Sequence, residues 1–190
     1  MSSLSVVFVM IGASFLVALV VAPFVAARRL RKQHARGTTL AARIGIPRAG
    51  RRTDDFRAEG VVQGVPMVLT LDAYQEPNSS SSTDRVRLST EGVERWGLVT
   101  IAERGLPAEY ELHSHPKLGP RTVATLPGAP PVAWLRPEVV EAIAALPSCA
   151  RVESYDQTLA VLFLDGPELP PVDLAVRVLL RVVRGAEYQG

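Results

Sequence analysis

An unbroken run of 24 residues without a charge, Leu4 to Ala27 (LSVVFVMIGASFLVALVVAPFVAA), constrains this chain more than any other feature. At about 1.5 Å per residue, a helix of that length crosses a hydrocarbon core of about 30 Å. Apolar residues occupy every face of such a helix, which excludes an amphipathic segment lying in the interface. Pro23 falls in its last turn, where water and headgroups satisfy the carbonyl that proline frees. The flanks orient it. Met1 to Ser5 carries no Lys or Arg, whereas Arg28, Arg29, Arg31, Lys32 and Arg36 follow at once, so the positive-inside rule places the following chain in the cytoplasm and the N-terminus outside. Val25-Ala26-Ala27 looks like a signal-peptide cleavage site, but the basic n-region is missing and the apolar run exceeds an h-region, so a retained anchor is expected.

The chain therefore divides into an anchor (1–27), a basic juxtamembrane tether (28–52) and one soluble domain (53–190). The expected location is the inner (cytoplasmic) membrane, crossed once. Charge follows the same division. All 19 acidic residues lie at or after Asp54, while nine of the 21 basic ones precede it, leaving the domain twelve basic against nineteen acidic residues, a net −7. A domain of that sign is a poor partner for phosphate backbones, so nucleic acid is not an expected partner. The basic tether marks topology, and it also has the composition of an anionic-lipid clamp. The lipid bilayer is the expected partner, with a second membrane protein as a further one, since Gly12, Ala13 and Ser14 permit close helix packing. Cys149 is the single cysteine, which excludes an intramolecular disulfide and a cysteine-based zinc site.

Within the domain, the pattern predicts α+β: an antiparallel sheet with two or three packed helices. Thr38 or Thr39 caps a short helix Leu40 to Ile44, closed by Gly45 and Pro47. Strand-rich sequence begins at Gly60, with a hairpin turning at Gln63-Gly64 into Val65 to Tyr74. Glu76 to Asp84 (EPNSSSSTD) reads as a surface loop, followed by strands at Arg85 to Ser89, Gly97 to Ala102, Ala108 to His115 and Arg121 to Thr125. Pro137 and Glu138 open a helix that ends before Pro147. Strands at Arg151 to Tyr155 and Thr158 to Leu164 meet at Asp156-Gln157. The closing helix, Pro171 to Arg184, places Val172, Ala175, Val176, Leu179, Leu180 and Val183 on one face and Arg177, Arg181 and Arg184 on the other.

This order, LAARIG, then GVVQGVPMVLTL, then RPEVVEAIAALP, a strand pair and an apolar closing helix, resembles a group of uncharacterised bacterial single-pass membrane-anchored proteins. The resemblance rests on element order and implies no reactive residue.

One constellation suggests chemistry. In Glu109-Tyr-Glu111-Leu-His113-Ser-His115-Pro116, alternate residues of a strand share a face, so Glu109, Glu111, His113 and His115 would present two carboxylates and two imidazoles, of which Glu111, His113 and His115 are the candidate ligands of a divalent metal. His-Ser-His-Pro is also similar to the core of the JAMM metalloprotease motif. The Ser and Asp that complete that motif are replaced here by Val123 and Leu126. The plainer expectation is an edge strand with its polar face in solvent and Tyr110 and Leu112 buried behind it. There is no G-x-S-x-G elbow, P-loop or G-x-G-x-x-G fingerprint, and no cofactor is expected. Trp96 and Trp134 read as core or interface fillers and Cys149 as half-buried filler. The functional expectation is thus a membrane-tethered cytosolic binding or scaffold domain without catalysis. A metal-dependent hydrolase centred on His113 and His115, or an accessory subunit of a larger membrane complex, are the alternatives.

Overall fold

A computed structural model describes residues 3–46, 49–51, 56–75, 82–91, 96–164 and 169–187, with side chains in the first helix described from Val21 onward. That helix, α1, runs from Ser3 to Arg43. Over the described residues no helix is long and apolar enough to cross a membrane. The run Leu4 to Ala27, expected to do so, has most of its side chains outside the described set. The α+β expectation for the domain holds.

Nine strands follow among the described residues: β1 (Ala49–Arg51), β2 (Phe56–Val62), β3 (Val65–Gln75), β4 (Ser82–Glu91), β5 (Val99–Ala102), β6 (Glu111–Ser114), β7 (Thr122–Thr125), β8 (Ala150–Tyr155) and β9 (Thr158–Leu164). Two helices complete the domain, α2 (Pro137–Ala144) and α3 (Val172–Glu187). All strand pairs are antiparallel, and they form one sheet in the order β1-β2-β3-β4-β9-β8-β5-β7-β6. The β2–β3 connection is a two-residue turn in which Gln63 (φ 52°) and Gly64 (φ 87°) are both left-handed, the geometry that matches strand twist.

Register explains which face the helices cover. Ala58, Leu69, Leu88, Val161, Val152, Ile101, Val123 and His113 lie opposite one another across eight strands. All but His113 are buried, and all of these strands' large apolar residues in that row join one core with Leu40 of α1, Ile44 just past its end, Val140 and Ile143 of α2 and Leu179 of α3. The helices therefore stack on one face, a two-layer arrangement. On the other face, charged side chains pair: Arg85 of β4 donates across to both carboxylate oxygens of Asp72 on β3, and Arg151 donates along its own strand to Glu153.

Two expectations are corrected. The short helix Leu40 to Ile44 does not start at Thr38 or Thr39; α1 runs through both, their hydroxyls donating back to the His34 and Ala35 carbonyls, 2.8 and 3.0 Å away. Ser82 to Asp84, expected in a loop, pair with β3 as strand, while residues 76–81 of that loop lie outside the described residues.

Candidate functional site

The sheet ends at β6, beyond the reach of the helices. All four of its side chains are exposed. The loop after β7 folds back beside it through turns closed by Ala129 N–H to Leu126 O (3.0 Å) and Leu135 N–H to Val132 O (3.0 Å), the first with Gly128 at φ 71°. Between strand and loop lies an open cleft of about 320 Å³, lined by His113, His115, Thr125, Pro130, Pro131 and Leu135 among others. Pro130, Pro131, Val132 and Leu135 give it an apolar wall, and His113 and Thr125, hydrogen-bonded to each other, lie on the strand side. A second cleft of about 250 Å³ shares Thr125 and the Pro130–Val132 wall and reaches Trp96 and Trp134. Both indoles are buried, and Trp134 Nε1–H donates to the Trp96 carbonyl at 3.1 Å, so they are core side chains that brace the loop.

The metal set expected at Glu111, His113 and His115 does not assemble. His113 Nε2 lies 3.1 Å from Thr125 Oγ1 and 4.0 Å from Glu111 Oε2. The strand stops at Ser114, so His115 leaves its alternation and caps a 3-10 turn, Pro116–Leu118, its Nδ1 accepting from Lys117 N–H at 3.3 Å. With Nδ1 accepting, the neutral ring carries its proton on Nε2, and metal ligation there would require that cap to break. Among the described residues no group of three or more His, Cys, Asp or Glu is placed to hold an ion. The expected burial of Leu112 also fails: it points to the open face at 59% exposure, while His113 lies in register with the inward-facing row and is itself exposed. An edge strand past the last helix has nothing to bury either side chain. Val123, in place of the JAMM-type serine, is a core residue facing His113.

The basic segment has a structure that was not legible beforehand. Gln33, Gly37, Leu40, Ala41 and Ile44 are buried at helical spacing, so the expected tether docks on the sheet as a continuation of α1. Gly37 lies directly on the ring of Phe56, which His34 meets edge-on at 5.7 Å. Asp84 of β4 receives three donors from the helix: Arg29 at 3.1 Å, Gln33 at 3.5 Å and Arg36 at 3.5 Å. Arg43 Nη2 stands 2.9 Å from Asp173 Oδ1 of α3, an ion pair by distance although that oxygen lacks hydrogen-bond geometry. Arg28, Arg29, Arg31 and Lys32 are exposed.

Two further groups escaped the sequence. Arg121 is 5% exposed and donates to the carbonyls of Leu146 and Pro147 just after α2, a cation at a helix C-terminal end, with Glu103 at 3.9 Å. Burial pushes its guanidinium below the usual value, against the opposing pull of Glu103. On the open face, Arg87 donates to Tyr155 Oη at 3.2 Å and lies 5.8 Å from the ring centroid. That hydrogen bond holds the phenol below the ordinary tyrosine range. Cys149 is half-buried in a third cleft beside Glu103, Arg104 and Arg151.

No protein family, no curated protein and no solved structure matches this chain.

Proposed function

We propose that this chain is a single-pass protein of the inner membrane, anchored by residues 4–27 with its N-terminus outside, whose cytoplasmic α+β domain is a binding module with its ligand in the cleft between β6 and the loop at 126–135. One observation carries the reading. Residues 21–29 of α1 are exposed on every face, with Phe24 at 77%, while the same helix is docked from Gln33 onward. Apolar side chains that no part of the domain covers gain by leaving water, and a bilayer is the medium that accepts a helix apolar all round. The basic cluster that follows supports the orientation. The binding role is supported by the apolar cleft with its His113–Thr125 pair, and the scatter of Glu111, His113 and His115 favours it over a metal-dependent hydrolase.

A reporter enzyme active only outside the cytoplasm, fused after Gly190, tests the topology. It should be silent, and the chain should sediment with membranes through alkaline washing. Strong reporter activity would overturn the orientation, and release by alkali the anchor.

A further inference from the structure

We propose that α1 holds the corner of the sheet carrying Asp84 against the lipid headgroups, making the membrane surface a standing partner of the domain; this rests on the membrane reading above. The geometry is set by distance along one helix. Arg29 is two residues past Ala27, about 3 Å along the axis, and Gln33 is about 9 Å past it. The headgroup region adds only about 5–8 Å beyond each side of the hydrocarbon core. A single carboxylate, Asp84, is gripped by Arg29, Gln33 and Arg36 together, the last about 14 Å past Ala27, so this corner of β4 sits at the outer edge of the headgroup layer.

The helix also lacks the freedom to swing the domain away. Gly37, Thr38 and Thr39 are the residues at which a hinge would be expected, yet Gly37 is packed on Phe56 and both threonines bond within the helix. A second fixation lies about 21 Å past Arg29 along the axis, where Arg43 meets Asp173.

Charge fits the same partner. Asp84 and its neighbour Asp72 would repel anionic lipid, but Asp84 is met by Arg29 and Arg36 and Asp72 by Arg85. With Arg28 and Arg31 exposed beside them, the corner presents net positive charge to the headgroups.

The test uses the full chain with Cys149→Ser, reconstituted in phosphatidylglycerol vesicles that carry a headgroup-attached quencher. A fluorophore is placed either at Ala73→Cys, exposed and directly opposite Asp84, or at Ala42→Cys, exposed near the far end of α1. Quenching at position 73 should exceed that at position 42 several-fold. Asp84→Ala, with its circular dichroism unchanged, should bring the ratio toward one. Equal quenching at both positions in a chain that floats with the vesicles would overturn the rigid mounting alone, and an unchanged ratio in Asp84→Ala would remove Asp84 from it. A chain that fails to float would sink the membrane reading and this inference together.

Discussion

Replacing Gly37 by alanine sets two well-measured effects against each other. In an exposed helix interior the change stabilises by up to about 1 kcal/mol, because glycine has the more flexible unfolded backbone. Here a Cβ at position 37 would lie 2.3, 2.4 and 2.6 Å from three ring carbons of Phe56. Carbon atoms in contact stand about 3.5–4.0 Å apart, so helix and ring must separate by more than 1 Å. Phe56 is fully buried and His34 closes on it edge-on, which leaves the ring no empty side to move into. Overpacking of this kind costs about 1–3 kcal/mol against a propensity gain of up to about 1, which predicts a net loss of up to about 2 kcal/mol. Urea denaturation of the full chain in detergent, followed by far-ultraviolet circular dichroism, would read it as a lower midpoint at unchanged slope. Repeating the substitution in a Phe56→Leu background supplies the cycle: the smaller side chain should absorb the methyl, and Gly37→Ala should there be neutral or stabilising. An alanine that raises the midpoint in the wild-type background would show that α1 does not press on the sheet at this point, and the docked-helix account would fall.

Leu179 is fully buried on α3, and Leu179→Asp should cost several kcal/mol out of a typical total of about 5–15, so the domain should lose its cooperative melt; exposed Arg177→Asp should change the melting temperature little, and equal tolerance of both would show α3 undocked. Arg181 is a poorer control, since its guanidinium donates to the Glu138 carbonyl of α2. Tyr155 should ionise below the ordinary tyrosine range in absorbance titration at the phenolate band, and Arg87→Met should move its titration upward; no movement would dismiss the Arg87 contact as the cause. Because the folded-state value is the lowered one, the ionisation-linked part of this pair's stability is absent at neutral pH, appears as pH rises through the Tyr155 transition and is complete above the unfolded value. Zinc at micromolar concentration should leave the melting temperature almost unchanged, as Glu111 and His113 alone meet; a shift of several degrees that His113→Ala, His115→Ala abolishes would restore the metal-site reading.

The elements that were legible are those whose signal is local. The stripe of α3, the proline start of α2 and the turn at Asp156-Gln157 each depend on residues a few positions apart, and each appears where the pattern put it. What was hidden depends on partners far along the chain. Gly37-Thr38-Thr39 reads as a helix boundary until Phe56 lies against the glycine, and Asp84 reads as a loop end until three helix donors from some fifty residues upstream meet it. At the candidate site the alternation of Glu111 and His113 was real, but β6 is only four residues long, and its end at Ser114 breaks the pattern before His115. The sequence also gives no sign that the helices stop short of β6, which decides what its side chains face.

The strand order has a consequence for how the chain is made. β4 and β5 follow one another in the sequence, yet they are not neighbours; β9 and β8 lie between them. While residues 150–164 are still inside the ribosome, the emerging sheet is in two pieces, a β1–β4 meander and a β5–β7 unit, each with a bare edge. Exposed edges recruit other strands, so synthesis passes through a stage at which this chain is open to mispairing, and the arrival of a single late hairpin closes both edges at once.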